Sequence, residues 1–254
     1  STGAFSNDNG TIRAGTDLRV SSTALNNTYG KLLAGHDLGI NNSITSAPLS
    51  ILDNHNGLMQ AGNNLNVETT SLTNTAGTLL GINGDVTLAA GSSGAMMTAL
   101  DNTSGGIIQA GGTVSVAAST ISNDAGSVLA LNGDIALNAV SAPSSALSFS
   151  NVGGAVKAAG NLILVTGNWR DDANGVMSSG KDLSVQASED LRTEGVLVGG
   201  QGLYLDATGL TNAASGLIAT ENGTLDLVLN GTGTGEGLSN SGRIETAGPG
   251  ALLN

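Results

Sequence analysis
Apolar and polar positions alternate along this chain in short bursts, and the bursts recur. Residues 5–20 read Phe-Ser-Asn-Asp-Asn-Gly-Thr-Ile-Arg-Ala-Gly-Thr-Asp-Leu-Arg-Val, and residues 25–40 repeat the same order. An apolar residue leads to Asn, then Gly, then an apolar run, Ala-Gly, and an Asp-Leu-x-Val segment. The Asn returns at Asn7, Asn27, Asn54, Asn74, Asn102, Asn123, Asn151, Asn212 and Asn240, and Asp172 and Thr193 fill the two gaps. The steps are 20, 27, 20, 28, 21, 28, 21, 21, 19 and 28 residues, which makes eleven copies. A fixed period of this length marks a solenoid. No unrelated segment separates the copies, so residues 1–254 read as one continuous domain.

Inside each copy the alternation has a period of two. Ile12 and Ala14 face one way and Arg13 the other, and Leu18 and Val20 oppose Asp17 and Arg19. That pattern predicts half-buried strands, and no copy carries the longer 3.6-residue periodicity of a helix. Gly15 and its counterparts Gly35, Gly62, Gly111, Gly160 and Gly180 are expected to turn the corners through positive φ. A single coil cannot bury its apolar side, so coils stack, each strand pairing in parallel with those above and below. The fold expected is all-β, a parallel β-helix of about eleven coils and roughly 50 Å length at ~4.8 Å per coil. The interior is expected to hold an aliphatic ladder through Ile12, Leu32, Leu58, Leu79, Ile107, Val128, Val156, Val176, Val196, Leu217 and Ile244. The recurrent Asn residues are expected to form a second, polar ladder at one corner.

Composition fits a narrow interior. Aromatic residues are 2 % and charged residues 11 %, while Gly reaches 39. Cysteine is absent, which removes thiol catalysis and thiolate metal sites. The net charge of −12 comes with only eight Lys and Arg, unclustered, so phosphate backbones find no basic stripe and nucleic acid is a poor partner. Without an apolar run of membrane-spanning length, no membrane insertion is expected. The chain opens and closes inside a copy, which leads us to expect a segment of a longer rod.

The Asn-x-x-Gly-x-Ile-x-Ala-Gly-x-Asp-Leu-x-Val sentence resembles the repeat of filamentous haemagglutinins and of contact-dependent growth inhibition exoproteins. Residues 54–67 and 102–116 carry it clearly, and the resemblance spans the chain. It implies a right-handed parallel β-helix, secreted to the surface of a Gram-negative cell by an outer-membrane two-partner secretion transporter. It further implies roles in adhesion or toxin delivery. The Asn-Pro-Asn secretion domain and the Val-Glu-Asn-Asn junction of such proteins are not in this sequence, so this segment is expected neither to direct secretion nor to act as a toxin.

Motifs that could carry chemistry are sparse. Gly35-His36-Asp37 suggests an acid–base pair, but the slot reads Thr16-Asp17 and Asn63-Asn64 in neighbouring copies, which makes His36 a variable outward position. Asp171-Asp172 is reminiscent of the paired carboxylates of glycosidases, yet the accompanying His and basic residues are missing. Asp172 is read as the turn residue at the ladder position. Asn83-Gly84-Asp85 and Asn132-Gly133-Asp134 resemble calcium-binding turns but lack their nine-residue period. No catalytic, cofactor or metal residue is assigned.

Longer copies gain their extra residues at one point, in segments 41–51, 90–99, 138–148 and 230–237. Such insertions map to one edge of a solenoid. Met96 and Met97, with Phe149 just past its segment, are their apolar candidates for binding. Trp169, Arg170 and Asp171, in the charged stretch 169–194, are the others. The expected function is a non-catalytic stalk. The alternative is an adhesive module that grips a surface glycan or protein through these edge loops. The expected state is a monomer with weak end-to-end association through its open strand edges.

Overall fold
A computed structural model describes residues 3–42, 48–91, 95–138, 143–231, 237–247 and the strand at 252–253. Every regular element among them is a strand. Most strands are two to six residues long, because the apolar alternation lasts only that long before Gly, Asn or Asp interrupts it. Typical coils contribute strands such as Phe5–Ser6, Thr11–Ala14 and Leu18–Ser21, one to each of three sheets. Each strand pairs in parallel with its counterpart in the next coil, Ile12 on Leu32 and Leu18 on Leu38. Two sheets run through eleven strands each; the remaining sheet is divided into eight strands and three. The chain is a right-handed parallel β-helix, the hand expected for crossovers between parallel strands.

The core is one narrow column of aliphatic side chains. The first sheet stacks Leu25, Leu52, Leu72, Leu100, Ile121 and Phe149 in register. The third stacks Leu38, Leu65, Val86, Val114, Ile135, Leu162, Leu183, Leu203 and Leu225. All of these are buried, and each contributes about 1.5–3 kcal/mol by leaving water.

The second sheet corrects the sequence reading. Its interior ladder runs Ile12, Leu32, Met59, Leu79, Ile108, Val128, Val156, Met177, Leu197, Ile218, Ile244. Leu58, Ile107, Val176, Val196 and Leu217, which the sequence suggested for the interior, stand one position early and face outward. With a period of two, a one-residue slip reverses every side chain. The two readings were hard to separate because both positions are apolar in these copies.

The corner glycines are also corrected. Among the described residues, positive-φ glycines are Gly105, Gly153 and Gly237. The other left-handed positions among the described residues are held by Asn9, Tyr29, Asn56, Ala76, Ser104, Ala125 and Asn138, at φ of 50–54°. Gly35 is needed for another reason: a Cβ there would lie 2.0 Å from the Gly15 carbonyl oxygen. Coil contact, not backbone twist, excludes a side chain.

Candidate functional surfaces and the seam in the rod
The Asn corner forms a chain of amides. Asn7 Nδ2 donates to Asn27 Oδ1, Asn27 to Asn54, Asn54 to Asn74 and Asn74 to Asn102, each at 2.7 Å. Asn102 donates to Asn123 at 2.8 Å and Asn123 to Asn151 at 2.7 Å. The second amide hydrogen turns to turn and strand carbonyls, as from Asn74 to Gly77 and Ile107. Asn27 through Asn123 are fully buried, and a buried amide demands this satisfaction. The glycine after each turn makes room: a Cβ on Gly126 would lie 1.9 Å from the Asn102 carbonyl oxygen.

The chain of amides stops at Asp171. Strand register sets Ser150 against Arg170, so Asp171 follows Asn151 in the column. The second sheet, however, aligns Ala155 with Val176. One residue more therefore separates the two strands in this coil, and the corner bulges. Asn151 Nδ2 goes to the Gly154 and Val176 carbonyls, with no bond to Asp171. Asp171 instead accepts the Thr193 hydroxyl at 2.7 Å and the N–H groups of Glu194 and Gly195. Thr193 has one hydroxyl proton and directs it back to Asp171. Asn212 Oδ1, next in register, is left buried without a partner. Asn212 Nδ2 then resumes the pattern with Asn240 Oδ1 at 2.8 Å. The sheet bearing this corner divides at the same place, between strands Asn168–Arg170 and Leu191–Thr193.

Burial pushes the Asp171 carboxyl above the ordinary carboxylate value, against the pull of Thr193 and the Glu194 and Gly195 amides. The Trp169 indole N–H exerts a weak pull of the same kind without reaching hydrogen-bond geometry, and it stays buried and unpartnered. Asp172 is the opposite case. The N–H groups of Gly153, Asn174 and Gly175 bond its Oδ1, and they hold its carboxyl below the usual value. The sequence placed Asp172 in the column with an exposed neighbour; Asp171 occupies the column and Asp172 caps the turn.

The candidate binding residues scatter. Met97 and Phe149 are buried in the core and present nothing to a partner. Their segments look like insertions in sequence, but these two positions are inward members of strands 97–101 and 148–150. Phe149 stacks on Trp169 at 5.3 Å, so the single Trp extends the core ladder and is only partly open. Met96 is half-buried and Arg170 exposed. The middle of each edge segment, residues 43–47, 92–94, 139–142 and 232–236, lies outside the described residues.

A further column went unrecognised in the sequence. Asp17 Oδ1 accepts the Asp37 N–H, Asp37 Oδ1 the Asn64 N–H, Asn64 Oδ1 the Asp85 N–H, and Asp85 Oδ1 the Thr113 N–H. Asp134 and Asn161 continue it. The signal was the Asp of Ala-Gly-x-Asp-Leu, a recurrent polar residue with an acceptor aimed one coil onward. Asp85 and Asp134, weighed above as calcium ligands, use one oxygen here. Near the start of the column, Asp17, His36 and Asp37 bring ligand atoms within 4.8 Å of one another. A shallow groove of about 470 Å³ lies beside them, lined among others by Arg19, Gly39, Asn66 and Glu68.

The fold and its repeat place the chain in the class of parallel β-helical repeat proteins. The haemagglutinin repeat family matches residues 1–47, 34–93, 81–165 and 153–228, and the chain belongs to that family. No curated protein and no solved structure matches the chain.

Proposed function
We propose that residues 1–254 form a single β-helical stalk domain of a secreted exoprotein on a Gram-negative surface. The stalk is non-catalytic and holds a distal receptor-binding or toxin region away from the cell. Export follows the two-partner route, through an outer-membrane transporter that reads another part of the exoprotein. The observation that carries this reading is the unbroken pairing of two sheets over eleven strands, reinforced by the buried amide chain from Asn7 to Asn151. From Asn7 to Asn151 each coil is fastened to the next by backbone bonds and by a side-chain amide hydrogen bond parallel to them, which suits a spacer under load. Catalysis finds no support, since the paired Asp171 and Asp172 are engaged in turn and corner bonding.

Flow cytometry of the labelled chain on epithelial cells and on related bacteria tests the proposal. The stalk reading expects no saturable binding from folded protein. Saturable binding to either cell type would instead favour an adhesive module acting through its edge loops.

A further inference from the structure
The outward column repeats one bond with different residues. Asn64 and Asn161 accept the next N–H as Asp does, at 3.0 and 3.4 Å. A carboxylate is therefore not required for the column. Two carboxylates on successive coils occur at Asp17 and Asp37; from there to Asp182 the acids at 85, 134 and 182 are separated by Thr113 and Asn161. Like charges in direct register on a sheet are destabilising. At this one place the residue before the second Asp is His36, whose counterparts are Thr16, Asn63, Gly84, Gly112, Gly133, Gly160 and Lys181. His36 Nδ1 lies 3.2 Å from Asp17 Oδ1 and 3.3 Å from Asp37 Oδ2.

We propose that Asp17, His36 and Asp37 form a binding site for a divalent transition-metal ion of the zinc type, which clips two successive coils together. Tetrahedral ligation at zinc–nitrogen and zinc–oxygen distances of about 2.0–2.1 Å separates donor atoms by about 3.3 Å. The two distances to His36 Nδ1 match that edge. One imidazole nitrogen with two carboxylate oxygens suits zinc and its neighbours better than magnesium or calcium, which favour all-oxygen shells. Asp37 is already oriented for the task. Its Oδ1 is held by the Asn64 N–H at 3.0 Å and by Asn63 Nδ2 at 3.1 Å, leaving Oδ2 toward the imidazole. The His36 side chain is 60 % exposed, so water can complete the tetrahedron.

The test is calorimetric titration of zinc chloride into the full chain at neutral pH, with magnesium chloride as control. We expect one equivalent of zinc, no comparable magnesium uptake, and affinity at least about tenfold weaker in His36→Gln and in Asp17→Asn. Asp17→Asn keeps the acceptor for the Asp37 N–H, and circular dichroism checks that it folds. Zinc should also raise the thermal midpoint of the native chain and not that of the variants. Absence of saturable zinc uptake overturns the proposal, as does uptake that survives His36→Gln. Uptake that disappears instead on substituting the chain's other histidine, His55→Gln, places the metal elsewhere and also overturns it.

Discussion
Asn151 and Asp171 occupy the same place in successive coils, yet no hydrogen bond joins their side chains. On one side of that gap the amides from Asn7 to Asn151 point their donors forward along the rod. On the other, Thr193 points its hydroxyl backward to Asp171. The direction of the column reverses within one step, while the other two sheets continue past it.

A pH dependence follows from this seam. Burial raises the folded-state value of Asp171, so its protonated form is the one the fold prefers. The stability it contributes is fully present below the unfolded value and is lost as pH rises through the folded one. Asp171→Asn cannot ionise. In urea, the midpoint of this variant should therefore gain on that of the native chain between about pH 4 and pH 7. A constant or shrinking difference over that range contradicts the assignment.

The amide chain should be costly to break in its middle. Asn74 is fully buried, receives Asn54 Nδ2, and donates to Asn102, Gly77 and Ile107. Asn74→Ala removes these bonds and strands the Asn54 amide hydrogen. We expect a loss of about 2–4 kcal/mol in chemical denaturation. A loss below about 0.5 kcal/mol would mean that water satisfies the corner.

Coil contact can be tested at glycine. Gly126→Ala drives a Cβ against the Asn102 carbonyl oxygen, whereas Gly15→Ala meets nothing within 4 Å. The first should cost several kcal/mol and the second less than about 0.5 kcal/mol. Thermal unfolding of the two variants beside the native chain separates them; equal costs contradict the packing.

Register in the second sheet is checked by neighbours in one strand. Met59 is buried and Leu58 faces outward. Met59→Ala should cost about 2–5 kcal/mol, and Leu58→Ala clearly less. The reverse order would restore the ladder suggested by sequence alone.

The sequence made some of this legible and hid the rest for physical reasons. Short alternating runs and the recurrent Asn specified strands, stacking and the corner, because each is a local pattern repeated many times. The ladder through Met59 was misread since Leu58 and Met59 are both apolar, and alternation cannot choose a face between them. Phe149 and Trp169 were candidates for binding because one follows an insertion and the other lies in a charged stretch, but strand pairing draws both onto the core. The Asp171 and Asp172 roles were exchanged by a one-residue bulge that sequence spacing absorbed silently. His36 was set aside as variable, and variability hid its meeting with Asp17, a contact made across coils.

If stacking is continuous through the seam, the coils advance by a constant step along the whole rod. The chain has no cysteine, so paired spin labels can be introduced cleanly at outward positions of one column. Arg13, Lys157 and Glu245 share that column, on the first, seventh and eleventh strands of the second sheet. Four coil steps separate the last two, so pulsed electron–electron resonance should place the 13–245 distance about 19 Å beyond the 13–157 distance, at ~4.8 Å per step. A narrow distribution at that increment supports a rod continuous through the seam. A much smaller increment, or a broad distribution confined to the 13–245 pair, would contradict it.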